Sequence, residues 1–166
     1  MDQNGPDRQV SERLDGLGIR YSRREHPAVF TVEQARQYDD GRPGAHCKNL
    51  FLRNKKGDRY FLAVFEENTP IDLRQLGLQA GVGPLGFASP ERLMRILGVE
   101  PGAVGPFGLL YPSAREVTVL LDRGLASASQ VSFHPNLNTA TFSLGWADFL
   151  RFLEDLGNPL VWIESK

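Results

Sequence analysis

Cysteine is nearly absent from this chain, since Cys47 is the only one among its 166 residues. No internal disulfide can form, and paired CxxC zinc sites are excluded. A single thiol is typical of a protein in a reducing compartment, so we expect this one to work in the cytoplasm. A lone cysteine among aliphatic residues is usually a small buried hydrophobic residue, and this is the role expected of Cys47.

An excess of charge of one sign and long apolar runs are also lacking. The 19 basic and 20 acidic residues give a formal net charge of −1, which argues against a general nucleic-acid coating protein but leaves room for a local basic patch. No apolar run approaches the roughly 20 residues that cross a bilayer, and the polar N-terminus has no signal-peptide hydrophobic region. We therefore expect neither a membrane nor DNA as a partner.

Several signatures of cofactor and nucleophile chemistry are missing as well. No GxGxxG follows a predicted strand and no GxxxxGK[ST] occurs, so dinucleotide and P-loop nucleotide binding are not indicated. No GxSxG places a serine nucleophile, and no spacing of His, Cys, Asp or Glu supplies three or four metal ligands. We predict an activity that needs no cofactor and no metal.

The hydrophobic pattern predicts an α+β fold, because hairpins dominate the middle of the chain. The length and the 41% hydrophobic content suffice for one core, and a single domain over residues 1–166 is expected. Helices are predicted over residues 7–17, 31–38, 72–78, 90–97 and 146–156. Strands are predicted over residues 20–25, 47–53, 60–65, 116–122, 130–134, 139–144 and 159–164.

The most informative segment is 44–53, GAHCKNLFLR, which reads as a strand with a lysine on an apolar face. Because side chains alternate along a strand, Lys48 shares one face with Leu50 and Leu52, whereas Asn49 points to the other. Lys48 is then either an edge lysine whose ammonium reaches water or a cation at the wall of a pocket.

Two further segments have both a structural and a functional interpretation. His134-Pro135-Asn136 is either a turn or a source of polar pocket groups at the end of a strand. The Gly- and Pro-rich stretch from Gly102 to Pro106 is either a surface loop or a line of backbone N–H groups at an anion or oxyanion site.

Basic residues form two clusters that are either solvated surface groups or a rim that contacts phosphates. The clusters comprise Arg20, Arg23 and Arg24 on the early strand and Arg53, Lys55, Lys56 and Arg59 around the predicted hairpin loop. Because Arg23 and Arg24 are adjacent, they face opposite ways in a regular strand and cannot both serve one surface.

Taken in order, these segments resemble the freestanding prolyl-tRNA editing proteins of the superfamily that contains YbaK and the prolyl-tRNA synthetase insertion domain, most of all the ProXp-ala (PrdX) branch. The resemblance covers about residues 20–156. It is carried by CKNLFLR at 47–53, YFLAV at 60–64, residues 93–98, PGAVGPFGL at 101–109, FHPN at 133–136 and the strand at 139–144.

The resemblance implies a mixed, highly curved, barrel-like sheet flanked by helices. It also implies hydrolysis of the ester in alanyl-tRNA(Pro), a product of prolyl-tRNA synthetase error. The expected partners are the acceptor end of aminoacylated tRNA(Pro) and, transiently, prolyl-tRNA synthetase. Two alternatives stay open: a cysteinyl-tRNA(Pro) deacylase on the same scaffold, and a non-catalytic module that binds tRNA.

The same resemblance assigns the site. The family lysine matches Lys48, the family GxxxP loop matches Gly102 through Pro106, and the family histidine and asparagine match His134 and Asn136. The predicted catalytic residues are Lys48, Gly102, His134 and Asn136. The predicted substrate-binding residues are Asn49, Leu50, Gly105, Pro106, Phe107, Arg23, Lys55 and Lys56.

Overall fold

A computed structural model describes residues 5–28, 33–34 and 45–165. Its helices are α1 (Pro6–Gly16), α2 (Leu73–Ala80), α3 (Pro90–Leu97) and α4 (Trp146–Leu156). Its strands are β1 (Tyr21–Glu25), β2 (Ala45–Asn54), β3 (Tyr60–Glu66), β4 (Leu85–Phe87), β5 (Thr118–Asp122), β6 (Gln130–Phe133), β7 (Ala140–Gly145) and β8 (Leu160–Ile163). The helix predicted at 31–38 lies outside the described residues, apart from the helical positions 33–34.

The strands form one mixed sheet in the order β1-β7-β6-β2-β3-β5-β8, with β4 paired to β2 beside this path. The pairs β2–β6, β3–β5 and β5–β8 are parallel, and the remaining pairs are antiparallel. The predicted α+β class and the mixed sheet are confirmed. Among the described strands, β1 and β8 end this path without pairing to each other, so the sheet is open and does not close as a barrel.

Strand β2 is the junction of this sheet. One edge of β2 pairs with β3 from Cys47 to Arg53. The other edge pairs with β6 only at Ala45 and His46, and with β4 only from Leu52 to Asn54. Within the described chain, residues 47–50 therefore have no strand partner on that second edge, and we call this stretch the β2 gap.

Two hydrophobic clusters lie on opposite faces of the central strands. Phe51 belongs to the first, which contains the buried rings of Phe107 and Phe142, and Leu52 belongs to the second, which contains Leu76 of α2. Adjacent residues of β2 thus enter different clusters, as the predicted alternation requires. Burial of each large side chain contributes about 1.5–3 kcal/mol, so both clusters fix the orientation of β2.

The ends of α3 follow the sequence signals closely. Ser89 Oγ accepts a hydrogen bond from the backbone N–H of Arg92 at 3.2 Å, which caps the N-terminus. Gly98 ends the helix at φ 68°, where a Cβ would also lie 2.5 Å from the Tyr111 ring. Helix α3 therefore delivers the chain in a defined direction to the segment that follows it.

That following segment differs from the predicted loop. It contains two short 3-10 helices, Pro101–Ala103 and Pro106–Leu110. Each begins at a proline, whose fixed φ suits the first residue of a helical turn. Gly105 stands between them in extended conformation and is buried.

Candidate functional site

The β2 gap is bordered by three of the predicted site residues. A Cβ built on Gly105 would lie 4.0 Å from Asn49 Nδ2, 3.8 Å from the His134 carbonyl oxygen and 3.9 Å from Phe133 Cβ. The turn between the two 3-10 helices therefore packs where β2 and β6 separate. Any other residue would place at least a Cβ atom in this junction, and glycine leaves that space open.

Asn49 contributes a hydrogen-bond acceptor, its side-chain oxygen, to the border of the β2 gap. Its Oδ1 is buried and has no hydrogen-bond partner among the described residues. A buried polar atom without a partner is rare and costs about 1–3 kcal/mol, so each case calls for a physical explanation. A ligand donor that reaches this oxygen would supply one.

Lys48 points away from Asn49. It is paired in register with Phe65 of β3, and its Nζ donates a 2.7 Å hydrogen bond to the carbonyl oxygen of Thr69. The ammonium is therefore fixed by the turn after β3. No described contact joins Lys48 to Gly105 or His134, and its catalytic role stays a prediction.

Two residues close to Lys48 line a cavity. Phe65, which lies opposite Lys48 on β3, and Pro70, which follows Thr69, both line this space of about 200 Å³. Leu50, the next residue on this face of β2, packs against the second hydrophobic cluster. Lys48 therefore shares its face of β2 with an apolar cluster, and its partners on the neighbouring strand and turn lie at the cavity.

His134 follows β6 at the other border of the β2 gap. Its Nδ1 lies 2.9 Å from the Ala140 carbonyl oxygen, so this nitrogen bears the proton and donates it, and Nε2 keeps a lone pair in the neutral ring. Burial lowers the pKa of His134 below its usual value; the bond to Ala140 opposes this shift, and the charge of His26 reinforces it. The neutral imidazole is therefore favoured at pH 7.

His26 was not among the predicted site residues, yet its ring centroid lies 5.8 Å from that of His134. It immediately follows β1, and the sequence signals only that a strand ends there before Pro27. The two histidines are 108 positions apart in the chain, and the antiparallel pairing of β7 with both β1 and β6 brings them together.

Asn136 ties the turn after His134 to the neighbouring 3-10 helix. Its backbone takes φ 65°, a conformation that asparagine tolerates better than most residues, and its Nδ2 donates to the Phe107 carbonyl oxygen at 3.1 Å. The Phe107 ring is fully buried in the first cluster, and Pro106 is buried beside it. Asn136 Oδ1 is a second buried oxygen without a described partner.

Gly102 and Asn136 share a larger cavity. Its volume is about 620 Å³, and its other lining residues include Met94, Val99 and Leu137. The structure therefore brings the predicted residues together in two groups, one at the β2 gap and one in this cavity, which the Asn136–Phe107 hydrogen bond connects.

The predicted basic residues lie in different settings. Arg23 is ion-paired with buried Asp7 at 2.6 Å and with Glu25 at 3.2 Å, and its guanidinium lies 5.6 Å from the centre of the Phe142 ring. It therefore has a structural task between α1 and β1. Its predicted contact with substrate stays a prediction.

Lys55 and Lys56 are exposed at the tip of the β2–β3 hairpin. Arg92 and Arg95 of α3 lie beside this tip: a Cβ on Gly57 would be 3.2 Å from Arg92 Nη2, and Arg95 Nη2 donates to the Tyr60 hydroxyl at 3.0 Å. We call Lys55, Lys56, Arg92 and Arg95 the basic surface. Asn54, which precedes Lys55, is six residues along β2 from Lys48, a separation of roughly 20 Å in an extended strand.

Cys47, at the start of the β2 gap, packs against the first cluster as expected. Removal of the thiol from water raises its pKa to about 12. In the part of the chain that the structure describes, no three or more His, Cys, Asp or Glu side chains form a group that could hold a metal ion. None of the helices described is long and apolar enough to cross a membrane.

Comparison with known proteins adds the decisive observation. A model of the aminoacyl-tRNA editing domain matches residues 26–152, which include every predicted site residue except Arg23. The chain belongs to the aminoacyl-tRNA editing domain family. Editing hydrolyses the ester that joins an amino acid to tRNA, so members of this family are aminoacyl-tRNA hydrolases.

Two relatives of this editing domain align over nearly their whole length. The prolyl-tRNA editing protein ProX of Acetoanaerobium sticklandii is 39% identical over 155 residues, which are 93% of this chain and 94% of that one. The mouse prolyl-tRNA synthetase associated domain-containing protein 1 is 36% identical over 158 residues, which are 92% of this chain and 93% of the relative.

The fold of the editing domain also matches solved structures. A crystal structure of a proposed trans-editing enzyme for prolyl tRNA synthetase superposes with a TM-score of 0.70 at 24% identity, over 95% of this chain and 96% of that one. This likeness supports the fold: an α+β domain with a mixed sheet.

Proposed function

We propose that the protein is a trans-acting deacylase that hydrolyses alanyl-tRNA(Pro) in the cytoplasm. Membership of the editing family and the ProX relative support a prolyl-tRNA editing role. The choice of alanine rests on size. A synthetase pocket built for proline cannot strongly reject a smaller amino acid, so a second, smaller pocket is needed to remove it.

The observation that carries this proposal is the β2 gap with Asn49, Gly105 and His134 at its borders. Asn49 Oδ1, which has no hydrogen-bond partner in the described part of the chain, is an acceptor, and the α-ammonium of the alanyl group and the ribose hydroxyls of the terminal adenosine are donors. Binding of such a donor would remove the cost of the unpaired oxygen and orient the ester at the same time.

Lys48 is the proposed cation of the site. An ammonium has three donors, and the described bond to Thr69 uses one. On this face of β2, opposite Asn49, we assign the other two to a phosphate or ribose oxygen of the terminal adenosine. The fixed bond to Thr69 holds the charge in place before the substrate arrives. Such preorganisation lowers the barrier because no reorganisation is needed during the reaction.

Hydrolysis of an activated ester requires a placed water molecule and a stabilised oxyanion. We assign the second task to backbone N–H groups between Gly102 and Pro106. His134 Nε2, an acceptor in the neutral ring, would take a hydrogen bond from the water, and Asn136 would hold the loop through the Phe107 carbonyl. These groups act without a metal ion or cofactor in the proposed reaction.

The basic surface is the proposed contact with the tRNA body. Lys55 and Lys56 follow the end of β2, which lies roughly 20 Å from Lys48 along the strand, a distance that suits phosphates beyond the 3′ end while the terminal adenosine occupies the site. A transient encounter with prolyl-tRNA synthetase would deliver the mischarged product before it enters translation.

The test is a single-turnover deacylation panel with alanyl-, cysteinyl- and prolyl-tRNA(Pro). We expect rapid hydrolysis of alanyl-tRNA(Pro) and sparing of prolyl-tRNA(Pro), because a pocket sized for alanine would exclude the pyrrolidine ring. Preference for cysteinyl-tRNA(Pro) would replace the substrate assignment. Tight tRNA binding without turnover of any of the three would instead establish a non-catalytic module.

A further inference from the structure

Thr139 and the first two residues of β7, Ala140 and Thr141, anchor both His26 and His134. The Thr139 carbonyl accepts the backbone N–H of His26 at 3.0 Å. The Ala140 carbonyl accepts Nδ1–H of His134 at 2.9 Å. Thr141 Oγ1 lies 2.8 Å from Nε2 of His26. The two rings are thereby held with their centroids 5.8 Å apart and their planes inclined by 60°.

The hydrogen bonds define where the protons are. His26 Nδ1 lies 2.9 Å from the Pro27 carbonyl, which can only accept, so Nδ1 bears the proton. In the neutral ring, His26 Nε2 then accepts from the Thr141 hydroxyl. When both rings are neutral, they therefore share the Nδ1–H tautomer, and the hydroxyl of Thr141 fixes the orientation of the His26 ring.

We propose that His26, held by Thr141, is a positioning residue that keeps the His134 ring oriented in its Nδ1–H tautomer, with Nε2 as an acceptor. The relevance to catalysis rests on the function proposed above. The positioning itself is a property of the free protein. His26 supplies a rigid face against which His134 packs, and its proximity disfavours a charge on His134.

Other titratable side chains lie on the strands around this pair. Strand β1 carries Tyr21, Arg23, Arg24 and Glu25, of which Arg24 and Glu25 stand opposite Thr141 and Ala140 in register. Strand β2 carries His46, Cys47, Lys48 and Arg53. Strands β6 and β7 contribute none. His26 is the only neighbouring charge whose effect on the pKa of His134 is resolved among the described residues.

The experiment is nitrogen–proton correlation NMR of the imidazole rings in the full chain. Only three histidines are present, so His26→Ala, Thr141→Val and His46→Gln suffice to assign and test them. In the wild type we expect His134 as the Nδ1–H tautomer at pH 7. In His26→Ala and in Thr141→Val we expect a mixture of tautomers and a His134 pKa nearer its usual value. His46→Gln is the matched control and leaves both observables unchanged.

An unchanged tautomer and an unchanged titration of His134 in folded His26→Ala would overturn the proposal. If His26→Ala does not fold, the nearly isosteric Thr141→Val decides in its place: an unchanged His134 spectrum there overturns the proposal equally. A changed spectrum in either folded variant supports it.

A kinetic arm separates this proposal from the function on which it rests. With alanyl-tRNA(Pro), we expect His26→Ala to lower the single-turnover rate at pH 6 by up to about fourfold, with a smaller loss at pH 8, because a His134 pKa that returns towards its usual value of 6.5 leaves fewer rings neutral at pH 6. If the spectra change as expected but even the wild type hydrolyses no mischarged tRNA, the positioning stands and the proposed function fails.

Discussion

Lys48 Nζ donates a 2.7 Å hydrogen bond to the carbonyl oxygen of Thr69, three residues beyond the end of β3. The ammonium is thus anchored to backbone on the face of β2 opposite Asn49. A side chain fixed in this way has already lost the rotamer freedom that a flexible surface lysine would lose upon binding. The anchored charge is the basis of the first prediction.

Replacement of Lys48 by methionine should reduce single-turnover deacylation of alanyl-tRNA(Pro) by about 10²-fold or more, because a preorganised charge is removed from the site. Methionine keeps an apolar stem of similar length, so the thermal midpoint should change little. Arg115→Met, at an exposed position outside the basic surface, is the control for loss of one positive charge. Turnover of Lys48→Met near the wild-type rate would refute the catalytic assignment.

Gly105→Ala tests the β2 gap. The backbone there is extended and the nearest atoms lie 3.8–4.0 Å from the new Cβ, so we expect the fold to accept the methyl group. The same methyl group narrows the space beside Asn49 and His134 and should raise the KM for alanyl-tRNA(Pro). Gly98→Ala provides the contrast, because φ 68° and the Tyr111 ring should make it lose stability by about 1 kcal/mol or more.

The basic surface predicts a salt dependence of tRNA binding. Each phosphate contact contributes a slope of roughly 0.7–0.9 in a plot of log affinity against log salt concentration. Lys55→Gln combined with Lys56→Gln should weaken binding and reduce this slope by about 1–2, with the single-turnover rate at saturating protein unchanged. Equal slopes for wild type and double variant, measured by filter binding, would remove Lys55 and Lys56 from the interface.

The ion pair between Arg23 and Asp7 predicts that replacement of Arg23 lowers the stability of the fold. Its partner Asp7 has a side chain only 2% exposed, so Arg23→Ala leaves a buried carboxylate without its cation and should lower the free energy of unfolding by about 3 kcal/mol. Arg8→Ala breaks the exposed Arg8–Glu12 pair and should cost less than about 1 kcal/mol. Urea denaturation measures both. If Arg23→Ala leaves the stability unchanged and weakens tRNA binding, Arg23 is a substrate contact, as the sequence predicts, and does not stabilise the fold.

The raised pKa of the Cys47 thiol predicts how the free energy of unfolding changes at alkaline pH. The folded state holds the thiol proton up to a pKa of about 12, whereas the unfolded chain releases it near the ordinary value of 9.0. The unfolded state therefore gains stability as pH rises from about 9 towards 12, and the free energy of unfolding falls over that range. Cys47→Ala should show a weaker decline, measured by urea denaturation at each pH.

Much of this fold follows from local patterns. Ser89 and Gly98 bracket α3 as their capping chemistry predicts, and the alternation of Lys48 and Asn49 matches the observed faces of β2. These features depend on residues a few positions apart. Strand β4 was not predicted, because Leu85–Phe87 has only three residues and a central glycine. It pairs with the second edge of β2 from Leu52 to Asn54.

The candidate site was harder to predict, because its contacts join distant parts of the chain. The ion pair of Arg23 with Asp7 and the approach of His26 to His134 depend on sheet pairing that a strand pattern alone does not specify. The family resemblance located Lys48, Gly102, His134 and Asn136 as candidates. It did not indicate which of the predicted residues lie at the β2 gap and which line the 620 Å³ cavity.

The pairing of β1 with β7 has a consequence for synthesis on the ribosome. Tyr21 meets Leu144, so the strand made first finds its partner only after some 120 further residues have been polymerised. At about 5–20 residues per second, roughly 6–24 seconds pass between the synthesis of β1 and that of β7. During this interval the edge of β1 is unpaired and can pair with other chains. Its charged sequence, with Arg23, Arg24 and Glu25 in succession, suits such a delay, because charge on an unpaired edge opposes aggregation during that interval.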